Sequence, residues 1–449
     1  MTAVHPRPPV RPAPPWAFPE PGEVRLGNGL RILSYDTPGQ HILSVRIAVP
    51  APLSAEPRGR EGVGALMARL LDEGSDGHTA DDMAELLQRH GIAFGAGVVE
   101  RGLLIDLDVP RRHYGRALEL LREMVLEPAF EEQEVRRHIR TRIADIDQEH
   151  ANPASRAAIA FVASFYDDAE RLSQPTGGTA PSVEAITRDD LVAHHAAVLR
   201  PGPTVLTVAG DLQGLDASGL ATQAFDGWTG ADELLSAPDV RRREGGSRIV
   251  LVDRPGSSQS ELYIGCAGPD RVAAAQWAPF PVLGFILGGS PTARLDAVLR
   301  EQRGYTYGMR CGFRPRRGQG LFLTSGSVRA DVTADALAIA IDILDSGRDG
   351  FTDEEVASGV EYLRETAPGR YATADAVADE AAARALEGLT TAHTTNTLDE
   401  MRALSSERLQ VAYREYVDGE WVSVVVGDAA SLEAPLAALG RGRVDVLPA

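Results

Sequence analysis

Three residues late in the chain, Arg300, Tyr305 and Tyr307, have the types and spacing for work on a carbonyl group. A guanidinium can grip a carbonyl or carboxylate, and a phenol can donate to an oxyanion as it forms. They lie in the run Leu299-Arg300-Glu301-Gln302-Arg303-Gly304-Tyr305-Thr306-Tyr307-Gly308. A helix is expected from Thr292 to Arg303, ended by Gly304 as a left-handed cap. Tyr305, Thr306 and Tyr307 then enter a strand, which puts both tyrosines on one face. On spacing alone the pair also reads as a helix-end cation and a half-buried aromatic, and both readings stand at this point. Arg294 is expected to anchor the Gly288-Gly289 turn, with a surface ion pair as the alternative.

A metal site could be assembled on paper from His113, His138, His150 and Asp145, since His138 and Asp145 lie seven apart on one helix face. A solvated helix face with scattered histidines accounts for the same pattern with fewer assumptions. The adjacent His194 and His195 diverge by roughly 100° around a helix, so at most one could serve a site; packing is the competing role. Cys266 and Cys311 have no metal-type spacing and cannot form a disulfide scaffold.

A chain of 449 residues needs more than one core to position such groups. It carries 64 acidic and 45 basic residues, the latter all Arg, for a net charge of −19. That argues against a nucleic-acid partner, which requires a concentrated cationic surface. An acidic chamber could attract basic peptides, although solubility explains the charge as well. The sequence offers no apolar run of membrane-spanning length. Residues 1–22 are rich in proline and lack an apolar signal core, so they read as an arm rather than a leader. A cytoplasmic protein is expected.

The chain repeats itself. Val205-Leu206-Thr207-Val208-Ala209-Gly210-Asp211 resembles Val422-Ser423-Val424-Val425-Val426-Gly427-Asp428, with the glycines 217 positions apart. Phe130-Glu131-Glu132-Gln133-Glu134-Val135 resembles Phe351-Thr352-Asp353-Glu354-Glu355-Val356, 221 positions on. Two matches at nearly one offset indicate a tandem duplication. The halves are placed at 23–228 and 248–449, with a polar linker at 229–247. Strands are expected over Val24–Ser34, His41–Val49 and Leu103–Val109, and over Arg248–Asp253, Glu261–Cys266 and Gly320–Ser327. Helices are expected over Tyr114–Leu126, Asp189–Leu199, Thr333–Ser346 and Ser406–Tyr416. The fold class is therefore α+β: two homologous halves, each an antiparallel-rich sheet covered by helices, facing across a clam-like cleft.

Gly62-Val63-Gly64-Ala65-Leu66-Met67-Ala68-Arg69-Leu70-Leu71-Asp72-Glu73-Gly74-Ser75 resembles the first long helix of the insulinase/pitrilysin-type (inverzincin) zinc peptidases. In that family the segment reads G-x-x-H-x-x-E-H-x-x-x-x-G-[ST], and residues i and i+4 of a helix can grip one zinc ion from the same face. Here the histidine positions hold Ala65 and Arg69, and the glutamate position holds Ala68. The family's third ligand, a glutamate on a later helix, falls at Asp145; its accessory glutamate falls at His138. Leu251–Ser260, Ile286–Leu295 and Leu299–Gly308 resemble the opening of the family's C-terminal domain, whose R-x-x-x-x-x-x-Y pattern is met by Arg300 and Tyr307. The resemblance spans roughly residues 20 to 435.

The resemblance implies a non-catalytic, substrate-binding subunit of a heterodimeric zinc endopeptidase that processes peptides. This chain would hold no zinc; a homologous partner bearing H-x-x-E-H would hold it. Arg300 and Tyr307 would act in trans on that site, with Tyr305 also contacting the peptide. The alternative is a structural or peptide-holding protein with the same fold and no part in catalysis. No nucleic acid and no membrane enter either reading.

Overall fold

Val205–Gly210 and Val422–Gly427 are buried at every position, the mark of strands covered on both faces. Each sits inside a six-stranded sheet of the computed structural model, which describes residues 16–448 except 231–232, 236–238, 275 and 317–319. Most of the Pro-rich arm and part of the linker expected from the sequence therefore lie outside the described residues. The first sheet comprises β1 (Gly22–Arg25), β2 (Arg31–Asp36), β3 (Ile42–Val49), β4 (Ala93–Val99), β5 (Gly102–Pro110) and β6 (Val205–Gly210). Its order is β1-β2-β6-β3-β5-β4. The second comprises β7 (Arg248–Asp253), β8 (Gln259–Gly268), β9 (Arg310–Arg314), β10 (Gly320–Arg329), β11 (Val422–Gly427) and β12 (Arg443–Leu447). Its order is β12-β7-β11-β8-β10-β9. Both are mixed sheets: β2 runs parallel to β6, and β7 parallel to β11, within otherwise largely antiparallel pairings.

The duplication is visible bond by bond. Asp36 Oδ1 accepts from the Leu212 amide at 3.0 Å, and Asp253 Oδ1 accepts from the Ala429 amide at 2.9 Å. Asp211 Oδ2 accepts from the Gly39 amide, and Asp428 Oδ2 from the Gly256 amide, both at 3.0 Å. The two Gly-Asp signatures thus end equivalent strands and clamp equivalent turns. The outer edge breaks the symmetry: β1 pairs antiparallel with β2, whereas β12 pairs parallel with β7.

The halves exchange helices. Alternate residues of β2 and β6 point to opposite faces; Ile32, Leu206 and Val208 join the core of their own half. Leu33, Tyr35, Val205 and Ala209 instead pack on Ala374, Val377, Ala378 and Ala381 of the Ala374–Leu386 helix, which belongs to the second half. Reciprocally, Val250, Val252, Val422, Val424 and Val426 pack on Ala157, Ala160, Phe161 and Phe165 of the first half's Pro153–Phe165 helix. A Cβ on Gly265 of β8 would stand 2.5 Å from Phe161 Cζ, so glycine is what lets that ring lie against the sheet. Arg46 Nε to Asp379 at 2.6 Å and Arg316 Nε to Glu100 at 2.6 Å tie the same contact with charge.

Several boundaries differ from the sequence reading. Val24–Ser34 is not one strand: Gly29, at φ 90°, turns the chain between β1 and β2. β4, β9 and β12 escape the pattern because β4 is Gly-rich (Ala93-Phe94-Gly95-Ala96-Gly97-Val98-Val99) and β9 and β12 are short and partly exposed. Contrary to the expectation that no apolar run is long enough, Pro279–Gln302 has the length and composition to cross a membrane. Leu283, Ile286, Leu287, Leu295 and Leu299 of that helix are buried in the core of the second half, and Gly288, at φ −161° and ψ 19°, interrupts it. The four helices named from periodicity appear as Tyr114–Leu126, Arg188–Val198, Thr333–Ser346 and Ser406–Tyr416.

Because each half covers the other's sheet, the chain should unfold as one unit. Phe161→Ala should cost about 3–5 kcal/mol, with far-UV circular dichroism and tryptophan fluorescence giving coincident urea transitions. Two separated transitions in the unmodified chain would show that the halves are independent.

Candidate functional site

The segment that resembles the zinc-binding helix is held from its N-terminal end. Glu56, whose side chain is only 2% exposed, accepts from the Gly62 and Gly64 amides at 3.1 and 2.9 Å. That satisfies donors a helix start leaves free and sets a carboxylate at its positive end. Arg171 Nε, 2.7 Å away, neutralises Glu56, and its Nη atoms donate to the Gln174, Pro175 and Thr176 carbonyls. Gly62 is required: its φ is 96°, and a Cβ there would lie 2.6 Å from the Gly177 carbonyl oxygen. Arg142 fixes that carbonyl at 3.0 Å while pairing with Glu149 at 2.6 and 3.1 Å.

The helix so anchored is short rather than long, spanning Val63–Ala68. Beyond it the bonds tighten to i→i−3, from Leu70 to Met67 and from Leu71 to Ala68. Arg69 projects and pairs with Asp145, Nη1 to Oδ2 2.7 Å, both side chains about half exposed. Ala65 and Ala68 lie on the same short helix with no polar side-chain atom to offer, Ala68 packed into the core of the first half. The structure thus brings Arg69 and Asp145 together in an ion pair.

Among the described residues the remaining histidines form no metal-holding group. His138 Nε2 bonds Glu73 at 2.8 Å, and Arg137 binds the same carboxylate at 2.6 Å. His113 lies edge-on to His90. His195 Nε2 reaches the Val125 carbonyl at 2.8 Å and meets Phe130 edge-on, a packing role. His194 is buried against Gly64, where an added Cβ would come within 3.2 Å of its Nε2; burial, helped by His195, pulls its pKa down to about 4.

In the second half, Arg300 lies on the last turns of a helix that restarts at Arg294, two residues later than expected from sequence. Wide turns end it, with the Tyr305 amide donating to the Leu299 carbonyl at 2.8 Å and Gly304 at φ 64°. The strand expected at Tyr305–Tyr307 is a single bridge, Thr306 to Val328; β9 begins only at Arg310. Two hydrogen bonds of Thr306 Oγ1, donated to Ser327 O (2.6 Å) and accepted from the Gly308 amide (3.0 Å), hold the corner instead. Asp296, fully buried, accepts from the Met309 amide at 2.7 Å and pairs with Arg310 at 3.2 Å. Tyr305 does not share an environment with Tyr307: its hydroxyl donates to Asp335 at 2.7 Å, which pushes the phenol pKa up. Tyr307 stands 90% exposed. The Arg300 side chain is 43% exposed, 3.4 Å from Glu301.

Among the described residues no hydrogen bond or ion pair links Arg300 or Tyr307 to Arg69 or Asp145. Arg294 does not anchor the Gly288-Gly289 turn: it forks onto Glu355 at 2.6 and 2.8 Å, reaches the Gly350 carbonyl, and lies over Phe351. Glu56, Asp296 and Asp335 were not singled out from sequence. Only Asp296 left a signal, a lone carboxylate within an apolar helical run.

Residues 31–176 match the family model described as insulinase (peptidase family M16), and residues 185–363 match that of the peptidase M16 inactive domain. An uncharacterized zinc protease of Mycobacterium tuberculosis is 26% identical over 358 residues, 79% of this chain and 81% of the relative. A Helicobacter pylori protein named as a non-peptidase homolog is 22% identical over 57% of this chain and 58% of its own. The crystal structure of a peptidase M16 inactive domain from Pseudomonas fluorescens superposes with a TM-score of 0.84 at 23% identity, covering 91% of this chain and 98% of that one. That last likeness carries the fold.

The residues at the family's ligand positions do not fit zinc. Of the three, one is an alanine, one a cation, and the one carboxylate is already neutralised by that cation, while the position of the base, Ala68, is a second alanine. Among the described residues no group of three or more His, Cys, Asp or Glu is gathered to hold a metal. Zinc-loaded and desalted protein should accordingly retain far less than one zinc per chain by elemental analysis; a value near one would overturn this. A second expectation concerns His194. Its folded pKa lies below that of a free imidazole, about 6.5, so between pH 6.5 and 4 the unfolded state takes up a proton that the folded state refuses. Stability should fall as pH drops through that window, by roughly 3 kcal/mol from this group. His194→Gln should flatten the difference between urea midpoints at pH 7 and pH 4.5.

Proposed function

Because the chain belongs to the insulinase family of peptidases (M16), and an ion pair stands where that family's zinc-binding side chains would be, we propose that it is the non-catalytic, substrate-binding subunit of a two-chain zinc endopeptidase. The observation that carries the reading is the contrast between the halves. The first half has cancelled its site, with Arg69 closed on Asp145 at 2.7 Å. The second half keeps a corner whose aromatic tip, Tyr307, is 90% exposed.

In this reading a homologous partner bearing H-x-x-E-H holds the zinc, and this chain meets the peptide from the other side. Arg300 orients the substrate through its carbonyl or carboxylate oxygens. The Tyr307 hydroxyl donates to the oxyanion that develops when water adds to the peptide carbonyl. Tyr305 serves the same surface indirectly, since its hydroxyl is committed to Asp335 and fixes the corner that presents Tyr307. The substrate is a peptide or unfolded segment, because the recognition elements are an exposed arginine and a phenol rather than a closed pocket.

The test is activity in trans. Mixed with its zinc-bearing partner, the chain should switch on peptide hydrolysis, and alone it should show none. Tyr307→Phe should lower kcat by about 10²–10³, the usual effect of removing one oxyanion donor. Arg300→Ala should raise KM as well, while both variants still co-elute with the partner. A double variant that assembles and retains full activity would leave the chain a structural or peptide-holding protein.

A further inference from the structure

A cavity of about 580 Å³ lies in the second half, on the side of the Ala374–Leu386 helix that does not face the first sheet. Its walls come from that helix, the starts of Pro279–Gly284 and Ala392–Glu400, and the end of Asp353–Arg370. The size suits a small organic molecule, and most of the lining is apolar, with Trp277 and Tyr371 as its two large flat surfaces. Tyr371 is held in place from outside, stacked on Trp16 at 5.7 Å with the rings 7° apart.

The polar groups around this cavity are arranged with a deficit. Glu387 holds two arginines at once, Arg271 Nη1 at 3.0 Å and Arg384 Nη1 at 2.8 Å. Arg271 also lies over the Trp277 ring at 4.5 Å. Both arginines leave a buried Nε without a hydrogen-bond partner, and so does His393 at Nε2. Arg384 Nε comes within 3.2 Å of Glu380 without a hydrogen bond, and Glu380 is engaged by the Thr394 hydroxyl. Asp379, the other acid on the wall, is committed to Arg46 across the interface between halves. Arg370 stands at the rim, so what the wall leaves unmet is acceptors for the three buried nitrogens of Arg271, Arg384 and His393. Buried polar nitrogens without partners are rare in folded proteins and call for an acceptor, whether water, ion or ligand.

We propose that this cavity binds a small organic carboxylate with an apolar or aromatic body, its anionic group drawn to Arg271, Arg384 and His393 and its body lying between Trp277 and Tyr371. A carboxylate supplies what the wall lacks, acceptor lone pairs toward nitrogens that turn slightly to meet it, and its charge strengthens those bonds. The wall helix is the one exchanged into the first half, so occupancy would brace the contact between halves. This site is separate from the Arg300–Tyr307 corner and does not depend on the function proposed for it.

The test uses the full chain and 4-phenylbutyrate, with 4-phenylbutanamide as its neutral counterpart and phenyl phosphate as the alternative anion. Isothermal titration should show one saturable site for 4-phenylbutyrate, accompanied by a change in tryptophan fluorescence and a rise in Tm. The amide should bind at least about tenfold more weakly, because it lacks the charge that strengthens such hydrogen bonds. Ala383→Leu, which adds bulk to the wall without removing a polar group, should abolish binding while leaving the circular dichroism spectrum unchanged. Arg370→Ala should weaken binding several-fold. No saturable binding of 4-phenylbutyrate, equal binding of the amide, or unaltered binding by a folded Ala383→Leu protein would each overturn the proposal. Tighter binding of phenyl phosphate would overturn the carboxylate assignment.

Discussion

Each sheet has two apolar faces to keep from water, and its own half provides helices for one. The exchange of the Pro153–Phe165 and Ala374–Leu386 helices solves this, and much else follows from it. The fully buried runs of β6 and β11 are stable only because a helix from the opposite half covers their second face. The exchanged surfaces are built from Ala157 and Ala160 on one side and Ala374, Ala378 and Ala381 on the other, small residues that let helix and sheet approach closely. Gly265 takes this furthest, giving up its side chain so that Phe161 can lie on β8. Neither half could shed the other without exposing a sheet face.

That constraint bears on where a substrate could be handled. Halves joined through exchanged helices cannot part widely. The scaffold of the first-half site is nonetheless intact. Glu56, Arg171 and Arg142 still hold the start of the Val63–Ala68 helix and its neighbouring loop with buried charge. Such pairs are expensive to break, because removing one partner strands the other in a low-dielectric setting. Arg69, by contrast, sits at the exposed end of the same helix, where replacement costs little. Loss of ligands with retention of the frame is what this difference in energetic stake allows.

The duplication was legible because its signature does a local job: Gly-Asp ends a central strand and the aspartate clamps the next turn, so both residue types are needed in both halves. The positions aligned with the zinc helix were legible for a similar reason, since Arg69 does meet Asp145. The helix exchange was not. An Ala-rich segment such as Ala374–Leu386 shows the same apolar face whichever sheet it covers, and periodicity reports a face, not its partner. β4 and β9 escaped because they are edge strands with glycines inside them, buried on little of their surface. Tyr305–Tyr307 misled because alternating Tyr-Thr-Tyr is strand-like in composition, whereas buried Asp296 and the Thr306 hydroxyl impose a corner from outside the segment.

That corner is where the two halves differ most tellingly. In the first half, the Ala80–His90 helix ends at Gly91, φ 64°, and the chain enters edge strand β4 at Ala93 with Ile92 buried on the way. In the second, the corresponding helix ends at Gly304, also φ 64°, but edge strand β9 starts only at Arg310. The same helix stop and the same sheet edge therefore enclose a longer connection in one half than in the other. The extra residues are not slack: Thr306, Gly308 and Met309 are all tied by hydrogen bonds, two of them reaching the buried Asp296 or the Thr306 hydroxyl. Gly308, at φ 153°, supplies a backbone angle that L side chains rarely adopt. The connection thus departs from its own repeat, is fixed at several points, and holds Tyr307 90% exposed.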